Sequence, residues 1–197
     1  MRKGGGHAKG AEWERQVGKA LSLWLTNNQR PDIFTRNVLS GGSFTILERK
    51  GERSSRMPGD IMAAHPLAFK FLENFSVECK HLADLGVEAH FWDPKGGKAL
   101  GEIIRLANRQ ARSIGLEYML IARQNHREPF VFVNGRIGHR FLAARKPSKR
   151  ASILPMYHVL HRGSTFAMLL ADMLITVDPT ILLEGPDDIT HKRLAPG

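Results

Sequence analysis

At 197 residues and 42% hydrophobic content the chain is long enough to bury one substantial core, and Lys and Arg outnumber Asp and Glu by 29 to 19, a net charge of +10. A balance this basic points to a polyanionic partner, nucleic acid ahead of an anionic membrane surface. Cys79 is the single cysteine, which excludes an internal disulfide and a Cys/His zinc framework, and no stretch reaches eighteen uninterrupted apolar residues; we expect a soluble cytoplasmic protein that does not enter a membrane.

Residues 1–10, MRKGGGHAKG, have neither an apolar segment nor the spacing of a phosphate-binding loop, and read as a flexible arm. From Ala11 to about Thr26, apolar residues recur at helical spacing (Trp13, Val17, Ala20, Leu21, Trp24) until Asn27-Asn28 breaks the pattern. Glu14 falls roughly 60° from the centre of that stripe, where it flanks the core. DIFTRNVLSGG (32–42) predicts a short strand closing on Ser40-Gly41-Gly42, SFTILERK (43–50) another strand, and the basic loop 48–59 leads into Asp60 and a strand start, DIMAA. HPLAFKFLENF is open between a short helix and a loop.

FSVECKHL (75–82) is rich enough in β-formers for a central strand, and DLGVEAHFWDPKGGK (84–98) reads as a loop. Residues 99–114 predict a second amphipathic helix, with Leu100, Ile103, Ile104, Ala107, Ala111 and Ile114 on one face and Arg105, Arg109 and Arg112 on the other. EYMLIAR and PFVFVNGR follow as strands joined by the turn QNHRE. This order predicts an α/β fold, a mixed sheet flanked by helices. Past Arg136 lie a basic loop (145–150), a strand candidate in MYHVLHR, an apolar STFAMLLADMLITV open between helix and strands, and a frayed tail from residue 184.

An acid and a base two apart on a strand share one face, roughly 7 Å apart along it, so Glu78 and Lys80 line a common cleft while Cys79 turns to the core and His81 faces away with it. Asp60 and Glu78 are the oxygen ligands a hard cation such as Mg²⁺ or Mn²⁺ accepts. Beside such a cation a lysine orients a nucleophile or offsets charge developing on phosphorus. The same residues also have ordinary structural readings: Glu78 and Lys80 as an ion pair, Asp60 as a turn residue or helix N-cap, Ser40 as a turn serine.

PGD at 58–60 followed by ECK at 78–80 resembles the signature of the PD-(D/E)XK nuclease superfamily. KGAEWER at 9–15 and RNVLSGG at 36–42 resemble the first helix and the Ser-Gly segment of Holliday-junction resolvases in it. The resemblance spans about residues 9–135 and implies a restriction-endonuclease-like fold. It implies that Asp60 and Glu78 ligate metal, Glu14 assists metal or water binding, Lys80 is the catalytic lysine, Ser40 lies near the scissile phosphate and Gln110 approaches the site from the following helix. With Arg36, Arg105, Arg109 and Arg112 expected on DNA, the expectation is a Mg²⁺-dependent endodeoxyribonuclease with a core at 11–136 and a C-terminal extension, 137–197, packed on it. Four-way-junction cleavage by a homodimer is the finer expectation. The alternatives are a nicking or end-processing nuclease and a basic nucleic-acid-binding module without catalysis.

Overall fold

The computed structural model describes residues 5–38, 59–92, 97–144, 157–158 and 165–183. Ser40, the basic loops at 48–58 and 145–150, the strand expected at 43–50 and the tail lie outside the described residues. Helix α1 (Gly5–Leu25) starts six residues before the expected Ala11, taking in most of the segment read as an arm. Its stripe buries Trp13, Val17, Leu21 and Trp24, and the two indoles also donate long-range hydrogen bonds, Trp13 Nε1 to the Ile121 carbonyl at 3.3 Å and Trp24 Nε1 to the Val177 carbonyl at 2.9 Å.

Strands β1 (Phe34–Arg36) and β2 (Ile61–Ala63) pair antiparallel as a small separate ribbon. Helix α2 (Pro66–Leu72) resolves the ambiguous segment: His65 caps it by accepting from the Leu67 amide at 3.2 Å, and Pro66 occupies the first turn, where its fixed φ is an asset and its missing N–H costs nothing. Strand β3 (Phe75–Leu82) follows, then α3 (Val87–Trp92), where a loop was expected, α4 (Lys98–Arg112), β4 (Glu117–Gln124) and β5 (Phe130–Asn134). β5 ends two residues short of Arg136 because the Asn134 side chain accepts from the Ile137 amide and caps α5 (Gly135–Ala143). The apolar segment near the C-terminus is neither wholly helix nor a strand pair: β7 (Thr165–Leu169) leads directly into α6 (Leu170–Thr176), and β6 (Tyr157–His158) pairs with β7. A 3₁₀ turn spans Pro179–Leu182.

The main sheet is mixed, in the order β3-β4-β5-β7-β6, with β3 parallel to β4 and the remaining pairs antiparallel. β4 and β5 are buried through most of their length, as strands covered on both faces must be. One face carries Val77, Cys79, Met119, Ile121, Val131 and Val133 against α1, α2, α5 and α6; the other carries Tyr118, Leu120, Ala122 and Phe132 against α4. This helix-covered mixed sheet is the restriction-endonuclease-like α/β arrangement.

The place of FSVECKHL is corrected here. Among the described residues FSVECKHL is the terminal strand of the five-stranded sheet rather than a central one; its β-rich composition reflects a core face, which an edge strand shares. The described residues beyond 136 pack closely on the preceding ones. β7 hydrogen-bonds along all of β5, and Gly138 of α5 lies so close to the Phe166 ring that a Cβ there would overlap it at 2.2 Å, so residues 165–183 help to build the core.

Candidate active site

The outer edge of β3 is where the site forms. An edge strand presents backbone donors and acceptors that no neighbouring strand takes up. Here they are met by the segment entering β2: Gly59 makes an isolated parallel bridge to Val77, the Asp60 amide donates to the Val77 carbonyl at 2.8 Å, and the Asp60 carboxylate accepts from the Cys79 amide at 2.8 Å. Gly59 has φ +102°, and a Cβ on it would sit 2.5 Å from the Val77 oxygen. Only glycine permits both that conformation and that approach, which gives the PGD order its physical meaning. Asn37 closes the arrangement from β1, its amide donating to the Asp60 carbonyl at 2.8 Å and its side chain to the Gly59 carbonyl at 3.0 Å. Asp60 is thus a buried residue locked onto β3, neither a simple turn residue nor a helix cap.

The alternation of β3 then sets the chemistry. Cys79 is buried in the core, and Glu78 and Lys80 share the opposite face. Lys80 Nζ lies 3.3 Å from Glu78 and 3.5 Å from Asp60. The ion pair is real, but it is a triad of two carboxylates around one ammonium, and the side chains of Glu78 and Asp60 are only 15% and 11% exposed. Burial pushes the Glu78 carboxyl up to about 7, the Asp60 charge adds to the rise, and Lys80 opposes it. Burial disfavours the Lys80 ammonium, yet the Asp60 and Glu78 carboxylates outweigh it and hold its pKa above the ordinary lysine value. The Cys79 thiol is pushed up by burial and by the surrounding charges of Asp60, Glu78 and Glu14, so it is not a nucleophile.

Glu14 projects from α1 into an ion pair with Arg36 of β1. Among the described residues no group of three or more His, Cys, Asp or Glu gathers at metal-binding distances; Asp60 and Glu78 meet at Lys80, and Glu14 is paired with Arg36. Gln110 is half-buried on α4, and among the described residues its side chain bonds to none of Asp60, Glu78 and Lys80. Arg105, Arg109 and Arg112 are exposed along the outer side of the same helix. His81 packs edge-on against Trp13, with ring centroids 6.2 Å apart, on the face opposite Lys80.

Asn37 is the residue the sequence reading missed; its signal was its place inside the RNVLSGG segment, one position from Arg36. Two carboxylates at this spacing and burial suit a hard divalent cation, which takes one or two carboxylates and completes its shell with water and phosphate oxygens. A cation there would also relieve the repulsion that raises Glu78. Among the described residues no helix is long and apolar enough to cross a membrane.

No curated protein and no solved structure matches the chain. The family described as "Phage putative PDDEXK endonuclease" matches residues 5–171, a span that takes in α1, the Gly59–Asp60 bridge, Glu78, Lys80 and β7. The chain belongs to this family of nucleases.

Proposed function

We propose that the protein is an endodeoxyribonuclease that hydrolyses phosphodiester bonds with a Mg²⁺ or Mn²⁺ ion held by Asp60 and Glu78. The observation that carries this reading is the convergence of two buried carboxylates on one lysine at the edge of β3, with Lys80 Nζ within 3.5 Å of both. Such an ion, when bound, supplies Lewis-acid polarisation of the phosphodiester. Lys80 stays protonated and offers its N–H donors to the attacking water or to the oxygens on which negative charge grows. The Asp60 carboxylate keeps one oxygen on the Cys79 amide, which fixes its orientation and preorganises the site. Carboxylates facing a polyanion oppose binding, so a protein that only bound DNA would gain nothing from this pair.

Arg105, Arg109 and Arg112 extend a basic face along α4 that suits DNA phosphates, and Arg36 on β1 is a further DNA contact whose charge Glu14 partly offsets. Branched DNA is the substrate class we favour, on the likeness of KGAEWER and RNVLSGG to resolvase segments. A symmetric four-way junction has two strands to cut, so that reading calls for a homodimer with two sites.

The test is purified protein with Mg²⁺, Mn²⁺ or EDTA on labelled linear, nicked, flap and four-way-junction DNA and on RNA. We expect metal-dependent internal cleavage of DNA, strongest on the branched substrate. Binding without cleavage under both metals would overturn hydrolysis and leave a nucleic-acid-binding module.

A further inference from the structure

A groove of about 310 Å³ opens between α1 and the C-terminal ends of β3 and β4, lined chiefly by Lys9, Glu12, Trp13, Gln16, His81 and Arg123. Arg123 is the register partner of His81, one position beyond the Lys80–Ala122 pair. The groove therefore lies at the same end of the sheet as the Asp60, Glu78 and Lys80 cluster, one residue along β3 and on its other face. The carboxyl ends of parallel strands are where open α/β sheets take their ligands.

The chemistry of its walls selects among ligands. The Trp13 indole is buried, its Nε1 is committed to the Ile121 carbonyl, and the Arg123 guanidinium covers its ring at 5.6 Å. No open aromatic face is left on Trp13 for a nucleobase to stack on. The cation–π contact instead holds the guanidinium in place, and among the described residues the buried Arg123 Nε meets no hydrogen-bond acceptor. A buried donor without a partner costs free energy that an anionic oxygen would recover. Lys9 stands exposed on the opposite wall as a second cation. The one acidic wall residue, Glu12, is already engaged by Arg15 and Gln16. His81 bonds to Asn125 at 3.1 Å, which ties its ring to the β4–β5 turn.

We propose that this groove is a phosphate subsite in which Arg123 and Lys9 grip a DNA backbone phosphate neighbouring the one being cleaved. It is a positioning site that reads no base. The proposal rests on the reading of the chain as a DNA hydrolase, and binding and cleavage are measured separately so that the two can fail separately.

DNA affinity is measured against salt concentration for wild type, Arg123→Gln, Lys9→Gln and the double variant, with Lys70→Gln as an equal charge change on the exposed side of α2, outside the groove. Each groove variant should lower the log–log salt slope, and the double variant should lower it by about 0.9, because the counterions released scale with the phosphates neutralised and both cations meet a single phosphate. In cleavage the loss should fall mainly on KM rather than on kcat. Arg123→Lys should recover part of the affinity, since a lysine restores charge without the guanidinium's fork. Slopes equal to wild type in both single variants would overturn the subsite while leaving hydrolysis untouched, as would an equal drop in Lys70→Gln, which marks general electrostatics only. Thermal midpoints of all variants separate a lost contact from a damaged fold, and Lys9→Gln, on an exposed helix position, carries the decision if Arg123→Gln unfolds. DNA that wild type neither binds nor cuts overturns both readings; DNA bound through the groove and never cut overturns hydrolysis alone.

Discussion

The Asp60 carboxylate accepts the amide hydrogen of Cys79 at 2.8 Å, so the side chain proposed as a metal ligand also satisfies a backbone donor on the outer edge of β3. One residue thereby has two separable roles, an acceptor for a backbone donor and a negative charge. Asp60→Asn keeps an oxygen for the Cys79 amide and removes the charge. It should abolish cleavage while the thermal midpoint stays within a few degrees, and DNA affinity should hold or rise as repulsion toward phosphate falls. Asp60→Ala removes both roles and should cost about 1–3 kcal/mol more, the penalty for an unsatisfied buried donor. Paired melts and cleavage assays read the two effects; full activity in Asp60→Asn would sink the metal assignment.

Lys80 is distinguished from a simple ion-pair partner by where its loss appears. Lys80→Met keeps the aliphatic stem and drops the charge. If the ammonium acts on the attacking water or on developing charge, its contribution is to the transition state. Single-turnover rate at saturating DNA should then fall by about a hundred- to thousandfold, as when one stabilising donor is removed from an active site. The dissociation constant should move little by comparison. A destabilised variant that cuts at the wild-type rate per folded molecule would return Lys80 to a purely structural role.

The raised Glu78 carboxyl gives the site a pH signature. Its pKa in the folded, metal-free protein is about 7 against an ordinary 4.5, so between those values the native state holds a proton that the unfolded chain releases. That contribution to stability is fully present below about pH 4.5 and is lost as pH rises toward 7. The difference in stability between wild type and Glu78→Gln, followed by denaturant titration in EDTA from pH 4.5 to 8.5, should therefore shift against wild type across this window and flatten above it. Mg²⁺ needs the ionised carboxylate, so its affinity should climb across the same window by at most tenfold per pH unit and then level off. A pH-independent difference, or metal affinity already flat at pH 5.5, would place Glu78 outside the metal site.

Much of this site was legible in the sequence because its parts obey short-range rules. The two-residue period of β3 put Glu78 and Lys80 on one face and Cys79 in the core, and the 3.6-residue period of α1 and α4 located Trp13, Val17, Leu21 and the arginine face. What escaped depends on contacts between distant segments. Nothing local to FSVECKHL says that among the described residues it ends the sheet, where its outer side meets a bridge from Gly59 and Asp60, nineteen and eighteen residues before Glu78. The same holds for Asn37, which bonds to that bridge from β1, and for β7, whose apolar sequence fits a helix as readily as a strand until β5 supplies its partner. Glu14 was placed correctly on its helix, but its pairing with Arg36 depends on how β1 packs across α1.

Gly59 offers the sharpest test of how the fold builds the site, because its requirement is geometric and independent of metal. At φ +102° a side chain is strained by about 1–3 kcal/mol. A Cβ would also press on the Val77 carbonyl at 2.5 Å, and this atom is backbone in an edge strand that cannot swing aside. Gly59→Ala should therefore push the two segments apart, lengthening the Asp60 amide to Val77 carbonyl bond and with it the approach of the Asp60 carboxylate to Lys80. We expect a loss of about 2–5 kcal/mol when strain and overlap combine. Cleavage of the molecules still folded should fall too, because a small displacement of a positioned group is enough to cost about a hundredfold. Amide hydrogen exchange at Cys79 reports the same event without enzyme activity, since its donor bond to Asp60 should open more readily in the variant. A stable Gly59→Ala protein with Cys79 protected as in wild type would show that the bridge does not position Asp60, and that the carboxylate reaches Lys80 by some other support.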